Sequence, residues 1–155
     1  MRKLTLDRID RAILNQLQAD GRITNAQLAE RVNLSPSACL RRVRALETNG
    51  AIDRYTALVN QAATGRPSNV FVEISLNHQS EDALESFERH AAACPDIQEC
   101  HLMAGDFDYL VRVTVADAED YERIHKTQLS RLPHVARIKT NFALRTICKK
   151  TAFEF

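Results

Sequence analysis

Hydrophobic and polar positions follow a helical period over the first fifty residues of this chain. Leu6, Ile9, Ile13 and Leu17 recur at three- to four-residue intervals, the spacing of one helix face, on a helix that starts near Asp7 and stops at Asp20-Gly21. Thr24-Asn25-Ala26-Gln27 fits a capping box and opens a second short helix, with Leu28, Ala29 and Val32 on one face. Asn33-Leu34 then makes a tight connection, Asn33 being able to take the left-handed backbone conformation. The third helix has its start built in: Ser35 is a good N-cap, and Pro36 falls at the first helical position, where its missing N–H costs nothing. At about 100° per residue, Leu40, Val43 and Leu46 make one stripe, Arg41 points nearly opposite, and Arg42 and Arg44 flank. Cys39 falls on the inward side, and Gly50 ends the helix.

Three short helices, the last two joined by a turn, predict a helix-turn-helix unit. Its third helix has a slim start, Ser37 and Ala38, and outward arginines, which suits entry into a DNA major groove. Arg41 and Arg42 can pair bidentately with guanine, and Arg44 is assigned to phosphate. Ser35 and the backbone N–H groups of the helix start can hold phosphates, and Ser37 is small enough to reach a base or a phosphate. A small helical bundle with a solvated basic face would share the pattern.

Beyond Gly50 the period changes. Residues 52–60 read as a strand leaving the helical unit, and residues 61–67 have turn residues and little to bury. The expected organisation is therefore a first domain over 1–60, a linker over 61–67 and a second domain over 68–155. Val70, Val72, Ile74 and Leu76 alternate with Glu73 and Ser75, a strand pattern. Ser80 caps a helix carrying Leu84, Phe87, Ala91 and Cys94, ended by Pro95. Residues 97–104 are a less marked strand, and residues 109–115 set Tyr109, Val111, Val113 and Val115 on one side. Asp117 caps a helix with Tyr121, Ile124, Leu129 and Leu132, stopped by Pro133. Residues 135–144 form the last strand, with Ile138, Phe142 and Leu144 on one face. The order is βαββαβ, the ferredoxin-like arrangement, so the fold class is α+β. Both helices must cover the same sheet face, and the other, partly apolar, points to subunit pairing.

The net charge of +1 changes meaning once the chain is divided. Residues 1–60 hold ten Lys/Arg and six Asp/Glu, a net +4, and the rest of the chain carries −3. Attraction to phosphate is thus local to the helical half and modest per subunit, which favours binding as a dimer or larger. No apolar run approaches the ~20 residues of a membrane helix, and Met1-Arg2-Lys3-Leu4 lacks the apolar core of a secretory leader. Four separated cysteines with no Cys-x-x-Cys pair read as reduced cytosolic thiols. The histidines have no metal-ligand spacing, and no phosphate loop, nucleophile elbow or catalytic carboxylate pair is present, so neither an enzyme nor a metal or cofactor is expected.

The helix-turn-helix followed by βαββαβ, with Leu34-Ser35-Pro36 opening the third helix, resembles the Lrp/AsnC transcriptional regulators. Asp7-Arg8-Ile9-Asp10-Arg11, Tyr55-Thr56-Ala57-Leu58, Ile97-Gln98-Glu99-Cys100-His101-Leu102 and Gly105-Asp106-Phe107-Asp108-Tyr109-Leu110 carry the likeness, which runs from Leu6 to about Lys149. The resemblance implies a winged helix-turn-helix, binding to double-stranded DNA as self-assembled dimers that often become octamers, and a cytoplasmic, nucleoid-associated protein. It also implies a small amino-acid effector, aliphatic or sulfur-containing, held at a contact between dimers near the loop Ala104-Gly105-Asp106-Phe107-Asp108. The chain departs from the family where Ala38 replaces a frequent proline and Arg41 a frequent acidic residue, so base preference can differ.

The chemistry of the loop suits that role. An amino acid is a zwitterion and needs a partner for each charge. Gly105 permits unusual backbone angles and close approach, so loop N–H groups can receive a carboxylate. Asp108 or Asp106 can pair with the ammonium, Asp108 being the first choice. Leu102, Met103 and Phe107 offer apolar contact. The same residues also make an ordinary hairpin turn. The competing function is an architectural DNA-binding protein that needs no effector.

Overall fold

The computed structural model describes residues 5–155; Met1-Arg2-Lys3-Leu4, read above for a leader, lie outside the described residues. The chain forms two compact units, Met1–Leu58 with Cys148–Phe155, and Val59–Ile147.

The first unit holds three helices, α1 (Arg8–Ala19), α2 (Asn25–Arg31) and α3 (Pro36–Thr48). Asp7 caps α1 and exchanges hydrogen bonds with Asp10 in a capping box, and Thr24 and Gln27 do the same for α2. Asn33, at φ 55°, takes the left-handed turn between α2 and α3, and Gly50, at φ 75°, turns the chain after α3. Ile13, Leu14, Leu28, Ala29, Cys39 and Leu46 form the core. The face of α3 differs from the expected stripe. Cys39, Val43 and Leu46 point inward, whereas Leu40 is 40% exposed and stands outside the core cluster. The i, i+4, i+7 row uses the small thiol where helices approach closely and leaves the bulkier leucine outside.

Residues 52–60, expected as a strand, form none: Ile52 lies in a bend and 53–60 have no regular secondary structure. A strand needs a neighbour for its N–H and C=O groups, and all four strands that pair with one another lie in the second unit. Residues 61–67, expected as a linker, include a folded turn. Asn60 caps the 3-10 turn Gln61–Thr64, Gly65 closes it at φ 75°, and the Gln61 amide donates to the Arg66 carbonyl. The chain end belongs to the first unit: the Gln18 amide donates to the Phe153 carbonyl at 3.0 Å and accepts from the Phe153 N–H at 2.7 Å.

The second unit is a four-stranded antiparallel sheet, β1 (Ser68–Leu76), β2 (Ile97–Leu102), β3 (Tyr109–Val115) and β4 (Val135–Phe142), in the order β2-β3-β1-β4, with α4 (Glu81–Ala93) and α5 (Ala118–Thr127). Val70, Val72, Ile74, Tyr109, Val111, Val113 and Val115 pack with Phe87, Tyr121, Ile124 and Leu129. Register shifts between Ile97 and Glu99, and opposite Ser75 and Leu76, let residues three apart (Ile97 and Cys100, Val135 and Ile138) both meet the core. That breaks the alternation of β2. The last helix is shorter than its apolar pattern: α5 ends at Thr127, and Leu129 enters the core from the 3-10 turn Leu129–Arg131. Leu144 leaves the sheet and is exposed.

Candidate functional site

Helix α3 is held at its start and along one side. The Ser35 hydroxyl accepts from the Ala38 N–H at 3.3 Å and lies 3.2 Å from the Ser37 hydroxyl. The Asn25 amide donates to the Pro36 carbonyl at 2.8 Å, tying the first turn of α2 to that of α3. Ser35, Ser37, Arg41 and Arg44 are exposed. With Ser37 as reference, Leu40, Arg41 and Arg44 fall within an arc of about 100° on the outward side of the helix.

Arg42 stands apart from the other arginines. Its Nη1 donates to Asp7 Oδ2 at 2.8 Å and to Asp10 Oδ1 at 2.7 Å. Its side chain is 28% exposed, and it lies between the buried positions Cys39 and Leu46 on the helix. The Asp10 N–H and the Arg42 guanidinium hold the Asp7 carboxyl below the ordinary carboxylate range. The two acids that cap α1 thus also bind α3, an arrangement the DNA-contact reading of Arg42 missed. The available signal was the second acid of the Asp7-x-x-Asp10 box, facing an arginine whose angle put it beside the core.

In the second unit the loop 103–108 joins β2 to β3. The Met103 N–H donates to the Asp108 carbonyl at 2.8 Å, and the Asp108 N–H donates to the Ile74 carbonyl at 2.9 Å. Asp108 is buried at 8% exposure. Its Oδ2 accepts from the Leu76 N–H at 2.7 Å and its Oδ1 from the Gln79 amide at 2.5 Å. The carboxylate chosen for the ammonium is therefore occupied in holding the loop to the end of β1. Asp106 is exposed, as are Leu102, Met103, Ala104 and Gly105, and Phe107 is half-buried. Gly105 does not use its freedom at positive φ, and a Cβ there would meet nothing within 4 Å. Its surroundings are open to an approaching group.

A second buried carboxylate of this unit is held by basic and amide side chains. Asp96, 6% exposed, takes hydrogen bonds from Arg66 and Gln128 and lies 3.5 Å from the Arg123 guanidinium. Burial alone would raise its carboxyl, but these donors outweigh burial and hold it low. Burial pushes the Cys100 thiol up to about 11 and raises Cys39, so neither is poised as a thiolate. Among the described residues no helix is long and apolar enough to cross a membrane.

A capped, arginine-bearing helix in a three-helix unit, followed by a ferredoxin-like domain with an open loop, defines a DNA-binding regulator with a separate sensing domain. Comparison with known proteins is specific. Residues 6–53 match the winged helix-turn-helix DNA-binding family and residues 69–153 the Lrp/AsnC ligand binding domain. The leucine-responsive regulatory protein of Escherichia coli (strain K12) is 47% identical over 142 residues, covering 92% of this chain and 87% of that protein. A transcriptional regulator from Neisseria meningitidis, solved with L-Met, superposes with a TM-score of 0.90 at 33% identity over 96% of both chains. A feast or famine regulatory protein from M. tuberculosis, complexed with L-methionine, superposes at 0.83 with 32% identity, over 97% of this chain and 99% of that one. The chain belongs to the Lrp/AsnC family of transcription regulators, a non-enzymatic family. The expected α+β fold, winged helix-turn-helix then sensor domain, is the one found.

Proposed function

We propose that α3 contacts duplex DNA through Ser35, Ser37, Arg41 and Arg44, while Arg42 acts indirectly by holding α3 against the start of α1. The observation that carries this reading is the exposed arc of Ser37, Arg41 and Arg44 on a helix whose opposite side is core. The effector is an aliphatic or sulfur-containing amino acid bound by residues 102–108. Loop N–H groups around Gly105 receive its carboxylate, Asp106 pairs with its ammonium, and Leu102, Met103 and Phe107 touch its side chain. Asp108 keeps Ala104 and the rest of the loop in position. Support comes from the open loop and from family members solved with L-methionine.

The working form is a dimer that assembles into octamers in the cytoplasm, associated with the nucleoid. Exposed Tyr55, Leu58 and Val59 on a segment without regular secondary structure, and exposed Leu144 and Ile147, support assembly. An effector at an inter-dimer contact acts through its different affinity for two assembly states, and a coupling of about 1–3 kcal/mol changes operator occupancy roughly 5- to 150-fold. The test is calorimetry of the full chain against the twenty amino acids, with and without duplex DNA. Heat with an aliphatic or sulfur-containing amino acid is expected. No heat with any of them, with DNA binding intact, returns the architectural reading.

A further inference from the structure

We infer that Leu40 is a specificity residue that reads the 5-methyl group of a thymine in the major groove. The inference rests on the reading of α3 as the DNA-contacting helix and deepens it. Leu40 is the one large apolar side chain of α3 that the core does not take: Cys39 and Leu46 are buried, and Val43 packs against the core, while Leu40 is 40% exposed. A lone exposed leucine is ordinary on a protein surface, so its position carries the argument. Leu40 is the fifth residue of α3, within the turns that a reading helix inserts first. It lies one turn after Ser37 and one turn before Arg44, at the edge of the outward arc, with Arg41 at the arc's other edge. Arg44 brings phosphate or base edges to this side of the helix, and a neutral branched side chain one turn before it offers them no hydrogen bond. The thymine methyl is the apolar group that the major groove displays, and apolar side chains distinguish thymine by contact with it. The occupant is duplex DNA, selected by the cationic side chains of Arg41 and Arg44 on the same exposed arc.

The test uses the full chain and duplexes it selects from a random-sequence library, with each dT replaced in turn by dU, which deletes only the methyl. Wild-type protein should lose about 4-fold in affinity at one or two positions per half-site, the value of one buried methyl group. The same replacement should cost Leu40→Ala nothing, while Leu40→Met, which keeps an apolar reach, should retain part of the penalty. Penalties that persist unchanged in Leu40→Ala, or no dU penalty at any position, overturn the inference and leave the DNA-binding reading standing. A Leu40→Ala chain that fails to fold overturns it too, because the side chain would then be packing the interior. A library that yields no bound duplex takes down both.

Discussion

Replacing Asp108 separates a positioning role from direct contact with an effector. In Asp108→Ala the Leu76 N–H, at the buried end of β1, loses its acceptor, and so does the Gln79 amide. Gln79 is exposed and turns to water at little cost, whereas Leu76 is 9% exposed and has no such recourse. An unsatisfied buried N–H costs about 1–3 kcal/mol, which sets the expected destabilisation. For a domain of this size each kcal/mol lowers Tm by about 4–8 °C. Asp108→Asn keeps an oxygen for the Leu76 N–H, and the Gln79 amide can rotate to face the new amide N–H, so most of the loss should return. Scanning calorimetry of the full chain measures the stability, and titration with the amino acid that gives heat in the screen of twenty measures the response. A positioning role predicts a weakened response to that amino acid in Asp108→Ala and a near-normal one in Asp108→Asn. If Asp108→Asn kept the wild-type Tm but lost the response as fully as Asp108→Ala, the carboxylate charge would be contacting the ammonium itself, and the reasoning would fail.

Arg41→Ala should weaken binding to a selected duplex by about 1–3 kcal/mol with no change in Tm. Arg42→Ala should weaken it while lowering the Tm of the first unit, and an unchanged Tm would show that the link to Asp7 and Asp10 holds nothing. The Asp7 carboxyl titrates below its unfolded value, so its contribution is present above about pH 4 and is lost as pH falls through the depressed folded value. The Tm of wild type should therefore fall more steeply than that of Asp7→Asn from pH ~5 down to pH ~3, and parallel profiles would refute this. Phe87→Ala removes a fully buried ring whose centroid lies 4.3 Å from that of Tyr109. It should cost about 3–5 kcal/mol in urea unfolding, and a loss near zero would mean that the sheet is held elsewhere.

The periodic parts of this fold were legible in the residues. Val70 to Leu76 and Tyr109 to Val113 alternate between buried and half-buried because those strands are central and keep one face on the core. The capping boxes at Asp7 and Thr24, the Ser35 cap and the turn at Asn33 are local chemistry, so a few residues suffice to read them. Strand β2 and the start of β4 were blurred by bulges, which a period-two pattern cannot represent. The segment 53–60 has the composition of a strand, but strand formation depends on a neighbour that composition does not encode. The DNA-contacting helix was legible as an element, while the assignment of Leu40 and Arg42 to its faces was not. Cys39 and Leu40 are adjacent apolar residues, and only the approach of α1 and α2 decides which is enclosed. Asp108 was read as a partner for an ammonium because the groups that donate to it, the Leu76 N–H and the Gln79 amide, come from about thirty residues earlier in the chain.

Cys39, on the buried face of α3 with no surface accessible to solvent, gives the DNA-binding unit a built-in clock. Once Cys94, Cys100 and Cys148 are changed to serine, iodoacetamide can alkylate the chain only when that unit opens. The alkylation rate then counts openings directly, in the presence or absence of duplex or amino acid. Protection by an amino acid would report communication between the two halves of the molecule without any attached dye.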